Sequence, residues 1–225
     1  MGVNKMKKLT KILSILVISI LSLSIMTGCG KVEPADKVAQ GFFDMIVHSD
    51  TTTIESVGIP EDEISGMKDL IRNAIKDNTK NNFKMGGLSI SDEDLDKIAD
   101  AQLGSMSKIK ATITTESSDK QTAVVKIKTN YIKLTEADQK AGNDALAEVQ
   151  AMGLTDQSEM SKIFVEKYVE KLVTEFNALE PVDDTVEKSF SFVIQTVQVG
   201  GKNKKMWVPE NPTTLGKDIS TMIAK

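Results

Sequence analysis

The chain has 225 residues, a formal net charge of −4, 4% aromatic residues, one cysteine and one histidine. A lone cysteine excludes an internal disulfide, and a lone histidine excludes a histidine-rich metal site. An acidic balance argues against nucleic acid as a partner, because binding it needs a concentrated basic face.

The first eleven residues, "MGVNKMKKLTK", carry Lys5, Lys7, Lys8 and Lys11 and no acid. Ile12 to Met26 follows without a charge. A basic segment before a short apolar run is the plan of a secretory signal peptide. The run is shorter than the roughly 20 residues a spanning helix needs. Met6 opens a second candidate start, "MKKLTKIL". The apolar run ends in Met26-Thr27-Gly28-Cys29. That stretch resembles the lipobox of bacterial lipoproteins, with Met26 where leucine is usual. The resemblance implies cleavage between Gly28 and Cys29 and a diacylglyceryl group on Cys29 Sγ. It implies residence at the outer face of the cytoplasmic membrane. Two acyl chains hold far more firmly than one, since each buried CH₂ contributes about 0.8 kcal/mol.

The expected organisation is a signal peptide over 1–28, a lipidated cysteine and tether over 29–36, and one extracytoplasmic domain over 37–225. Loss of residues 1–28 lowers Lys+Arg from 28 to 24 against 32 acids, so the mature charge is near −8. The stretch Gly30 to Asp36 reaches at most about 25 Å, which keeps the domain close to the bilayer.

Within that domain, Val38, Phe42, Met45 and Ile46 fall on one helical stripe, ending near Ser49-Asp50. After Gly58 and Pro60 a second amphipathic helix places Ile64, Met67, Leu70, Ile71, Ala74 and Ile75 inward, and Gly86-Gly87 ends it. Ser91 caps a third, with Leu95, Ile98 and Leu103 inward and Gly104 closing it. The period then changes to two. Ile109, Ala111 and Ile113 alternate with Lys108, Lys110 and Thr112, and Ala123, Val125 and Ile127 alternate with Lys126 and Lys128. This predicts an antiparallel hairpin turning at Ser117 to Lys120. Thr135 and Asp138 have capping-box spacing ahead of Leu146, Val149 and Met152. Thr155 or Asp156 caps the next helix, whose stripe runs Ile163, Phe164, Tyr168, Leu172, Val173, Phe176 and Leu179 to Pro181. A second hairpin pairs "VEKSFSFVIQTVQV" with "KKMWV" across Gly200-Gly201, and a short helix, "TLGKDISTMIAK", closes the chain.

Segregated helices and strands predict an α+β fold, with amphipathic helices packed on one face of a mainly antiparallel sheet of about four strands. The layout over 37–225 resembles the nuclear transport factor two-like or cystatin-like architecture. Small Gram-positive lipoproteins of unknown function carry that architecture after a start like Gly28-Cys29-Gly30-Lys31. The helix pair between the hairpins departs from its simplest version.

No residue set stands out as catalytic. His48 falls at a helix end, where a cation suits the dipole. Asp92, Asp94 and Asp96 have the spacing of a calcium loop, but Lys97 and Leu103 stand where that loop needs Gly and Glu. They read as first-turn acids behind the Ser91 cap. Lys202, Lys204 and Lys205 read as solvated charges at a hairpin tip, and the Phe164, Tyr168, Leu172 and Phe176 stripe as core. Neither Gly-Gly pair fits a phosphate-binding frame. No cofactor or metal is expected. The expected function is a lipid-anchored, non-enzymatic binding or interaction module at the membrane surface. The alternative is a small-molecule binder or enzyme using a pocket between sheet and helices. The candidate interaction surface is a basic patch of Lys108, Lys110, Lys126 and Lys128, facing an anionic envelope component or an acidic partner protein.

Overall fold

The computed structural model describes residues 32–59, 61–199 and 202–225, with the side chains of 61–63, 65, 199 and 202 left aside. Gly28, Cys29 and the whole signal-peptide and lipidation assignment lie outside the described residues, as does the Gly200-Gly201 turn. Among the described residues there are seven helices and four strands: α1 Ala35–His48, α2 Thr52–Ser56, α3 Glu61–Met85, α4 Asp92–Met106, β1 Ala111–Ser118, β2 Thr122–Asn130, α5 Leu134–Ala151, α6 Gln157–Ala178, β3 Thr185–Val199, β4 Lys202–Pro209 and α7 Pro212–Ile223. The fold is α+β. One antiparallel sheet runs in the order β1-β2-β3-β4, and helices pack against it. No described helix is long and apolar enough to cross a membrane.

The alternation seen in the sequence sets the register. Ile113 faces Ile127, and Val125 faces both Thr115 and Phe190. On β2, Ala123, Val125, Ile127 and Thr129 are buried while Lys128 is exposed, so one face is dry and the other wet. Asp119 makes the first hairpin by accepting from the N–H groups of Gln121 and Thr122, both at 2.7 Å. This pulls the Asp119 carboxyl below its ordinary range. In β4, Met206, Trp207 and Val208 are all buried. Successive residues point to opposite faces, so β4 is covered on both.

α1 is more enclosed than its stripe predicts. Phe43 and Val47 lie off the expected face yet are fully buried with Val38, Phe42, Met45 and Ile46. A helix apolar around most of its circumference belongs inside, and here α2 and α4 cover what the sheet does not. The approach of α2 is close. A Cβ placed on Gly41 would come within 3.0 Å of the Ile54 backbone, so any side chain there would push the two helices apart.

Three helix ends follow ordinary capping chemistry. Ser91 accepts from the Asp94 N–H, Asp156 from the Glu159 N–H, and Asn211, just before Pro212, from the Thr214 N–H. Asp50 accepts from the Thr52 N–H, which starts the short α2. α4 continues past Gly104 to Met106.

Other expectations need correcting. Leu70, Leu146 and Met152 are about half exposed. On α5 the buried stripe is Ala137, Ala141, Ala145 and Val149. Small side chains let α5 lie close against α6. The Thr135–Asp138 capping box does not form either. α5 begins at Leu134 with Lys133 at its cap and no side-chain bond, so Asp138 falls one turn inside the helix.

Candidate binding cleft

The elements meet in two apolar clusters. The larger lies under the sheet around Phe43, Phe192, Met45, Ile127 and Ile219. The smaller joins α3, α4, α5 and α6 through Phe83, Ile98, Ala101, Ala137, Ala141, Val169, Leu172 and Phe176. Beside this second cluster opens a cleft of about 720 Å³, bounded by α3, α4, α5, α6 and α7. Its floor and walls include Ala74, Ile75, Phe83, Ile98, Met106, Leu172, Phe176 and Ile223. Its polar lining includes Asn78, Thr79, Asn82 and Gln102 on one side, Thr135, Asp138 and Tyr168 on the other, and Ser220, Thr221 and Lys225 at the α7 end. A mainly apolar concavity with polar groups at its margins is the usual make-up of a small-molecule site.

Each wall has a reason to stand where it does. α3 is held to α4 by ion pairs. Arg72 reaches Asp96 at 2.9 Å and also pairs with Asp100, Lys76 reaches Asp96 at 2.8 Å, and Lys80 reaches Asp92 at 3.3 Å. The cations beside Asp96 and Asp100 hold both carboxyls below their ordinary range. The acids of "SDEDLDK" are therefore occupied by the Ser91 cap, by Lys97 and by the cations of α3. Among the described residues no group of three or more His, Cys, Asp or Glu could hold a metal ion. The outer rims of α5 and α6 are joined the same way, by Lys171 to Glu148 at 2.6 Å and by Lys140 to Glu175. α7 closes the far end, where the Ile132 N–H donates to Ile223 O at 2.9 Å and the Lys225 N–H donates to Ile132 O at 3.1 Å.

Inside the cleft the Tyr168 hydroxyl donates to the Asp138 carboxylate. Burial pushes the Asp138 carboxyl up, and the Tyr168 hydrogen bond opposes part of that rise. Burial, together with the neighbouring negative charge, drives the Tyr168 hydroxyl strongly upward, so it stays a donor. The Tyr168 ring lies 5.4 Å from the Phe83 ring, tilted by 33°, and stacks on Phe164 at 5.7 Å. The stripe read from the sequence thus divides. Leu172 and Phe176 are core, while Tyr168 presents a ring and a hydroxyl to the cleft. A second hollow, about 540 Å³, sits at the start of α1 between Glu33, Asp36, Thr115, Ser118 and Trp207.

The other singled-out residues lie elsewhere. His48 ends α1, with Nδ1 3.1 Å from Asp44 Oδ1 and Nε2 2.8 Å from the Ile109 carbonyl oxygen. The Asp44 hydrogen bond raises its pKa, partial burial opposes this, and the Ile109 carbonyl adds to the rise. Lys108 is not on the sheet. It precedes β1, and its ammonium donates to Leu179 O at 2.8 Å and Asn177 O at 3.1 Å, and pairs with Glu180 at 2.8 Å. A helix end leaves carbonyls unpaired and carries partial negative charge, so the lysine closes α6. Lys110, exposed just before β1, and Lys126 and Lys128 on β2 remain near the wet face. Lys126 is paired with Glu116 at 2.7 Å. Lys128 stands opposite Glu187 and Thr112. Lys204 donates to Val57 O at 2.6 Å, fixing β4 to the turn after α2.

Sequence reasoning missed Asp138 and its setting. Its spacing from Thr135 pointed to a cap, and only the packing of α5 on α6 turns it towards Tyr168. No family model matches the chain, and no curated protein matches it. Among solved structures, the fold is similar to that of "a putative lipoprotein (ycdA)" from Bacillus subtilis subsp. subtilis str. 168, with a TM-score of 0.59 and 16% sequence identity. The likeness covers 85% of this chain and 56% of that one, so this chain spans little more than half of that protein's length. At this identity the two share a fold.

Proposed function

We propose that this chain is a lipid-anchored, extracytoplasmic, non-enzymatic binding module whose ligand enters the cleft between α3, α4, α5, α6 and α7. The observation that carries the reading is that cleft: about 720 Å³ of largely apolar surface, within the usual size of a ligand site. Asp138 and Tyr168 are bonded to each other, and the chain's one histidine is outside its walls. That arrangement suits holding a molecule better than activating one.

The anchor part of the proposal rests on Met26 to Cys29 and on the tether that follows. The fold likeness to a protein described as a lipoprotein is in keeping with it. The nuclear transport factor two-like or cystatin-like layout belongs to the same proposal. Cys29→Ala should leave an uncleaved precursor that takes up no labelled fatty acid. A wild-type protein that takes up none would remove the anchor from the proposal.

The cleft is tested with N-phenyl-1-naphthylamine, an uncharged apolar dye that brightens in dry surroundings. The protein should bind it near one to one, and Ala74→Trp, which fills the cleft wall, should abolish the brightening. An Ala74→Trp variant as bright as wild type would place the dye elsewhere and overturn the reading.

A further inference from the structure

The cleft holds one carboxylate, Asp138, that has no cation as its partner among the described residues. The carboxylates on the outer rims of α5 and α6 have lysine partners, as Glu148 has Lys171 and Glu175 has Lys140. Asp138 lies inside, with Tyr168 as its hydrogen-bond partner and no Lys, Arg or His within ion-pair distance among the described residues. Lys225 lines the same cleft, but its ammonium sits 3.8 Å over the Tyr131 ring. An ionised carboxylate has room for about four hydrogen bonds, and a single hydroxyl supplies one. Removing such a group from water is costly unless it is paired.

We propose that the cleft takes an organic cation with an apolar body, its ammonium seated on Asp138 beside the Tyr168 and Phe83 rings. The inference rests on the cleft being the binding site. The carboxylate gives the cation a charge-assisted hydrogen bond, which is stronger than a neutral one. The apolar body lies along Ile75, Ile98, Leu172 and Phe176. An anionic headgroup meets the opposite situation, since it would bring a second negative charge to Asp138. The acidic balance of the whole chain favours approach by cations in the same sense.

Three probes with one tail separate the cases: dodecylammonium, 1-dodecanol and dodecanoate, titrated calorimetrically at pH 7 below their micellar concentrations. For the wild-type protein the ammonium should bind about tenfold or more tighter than the alcohol, a difference of about 1.4 kcal/mol, and the carboxylate should bind weakest. Asp138→Asn, close to isosteric, should erase the preference for the ammonium over the alcohol. Tyr168→Phe keeps the ring and should reduce the preference less. The wild-type ranking is decisive even if a variant fails to fold. An alcohol that binds as tightly as the ammonium overturns the cation assignment and leaves the cleft reading standing, as does an Asp138→Asn protein that keeps the preference. Failure of all three probes overturns both.

Discussion

The layer under the sheet and the layer made by α3 to α6 are built from different material. Under the sheet, Phe43, Phe192, Met45, Ile54, Ile127 and Ile132 are fully buried, and large side chains interlock. In the helical layer the facing positions include Ala101, Ala137 and Ala141, and the large side chains ring an opening. Large branched side chains fill space and fix register, whereas alanines let helices approach along one line and leave a gap beside it. The first arrangement is a foundation and the second is suited to admitting a guest. Stability and binding should therefore respond to different substitutions.

The sharpest contrast comes from truncating one large side chain in each layer. Phe192→Ala should cost about 3–5 kcal/mol, because its close-packed surroundings cannot collapse into the void. Leu172→Ala should cost about 2 kcal/mol, the low end for such changes, because part of its environment is already open. Chemical unfolding of the two variants measures both. Equal losses would mean that the helical layer is as tightly packed as the sheet core.

A middle-sized effect ties α1 to the sheet layer. Both His48 nitrogens face acceptors, the Asp44 carboxylate and the Ile109 carbonyl, so the doubly protonated ring satisfies both. Its folded pKa is raised above the ordinary value of 6.5. The extra stability is therefore fully present below about 6.5 and is lost as pH rises through the folded pKa. Hydrogen bonds to a charged group are worth about 1.5–3 kcal/mol, and partial exposure places this one near the lower figure. Unfolding midpoints followed from pH 5 to pH 9 should show the decline in the wild type and not in His48→Gln. A matching decline in the variant would assign the pH dependence to other groups.

The smallest effect belongs to the rim. Arg72→Ala removes the pairs with Asp96 and Asp100. These groups are largely in water, so the loss should be at most about 1 kcal/mol and should shrink with added salt. Its interest lies in the cleft, because α3 forms one wall. Dye affinity should fall in Arg72→Ala more than stability does. An unchanged affinity would show that α3 is held by its buried face alone.

Much of this fold is legible in the sequence, and the reasons are local. The β1–β2 hairpin announces itself because one face is wet, so lysine and threonine alternate with isoleucine and valine. The helix starts at Ser91 and Asp156 are visible because capping is a contact between neighbours in the chain. What stays hidden depends on who packs on whom. Periodicity around Val38 and Phe42 shows one apolar stripe, but the burial of Phe43 and Val47 is decided by α2 and α4. Leu146 looked inward because leucine outweighs alanine in any apolar count, whereas close helix approach selects Ala141 and Ala145. The candidate cleft is the extreme case. It is a gap between five helices, and a gap has no residues of its own.

The bulge in β1 has a consequence for neighbouring molecules. β1 is one edge of the sheet, and its pairing with β2 shifts between Thr115 and Ser117. Its outward groups there are Thr112, Thr114 and Glu116. A straight, greasy edge would offer a template on which a strand of another copy could dock and extend the sheet from molecule to molecule. Here the template is interrupted partway along and carries a charge next to the break. At the β1 edge, copies crowded side by side meet a broken template rather than a continuous one.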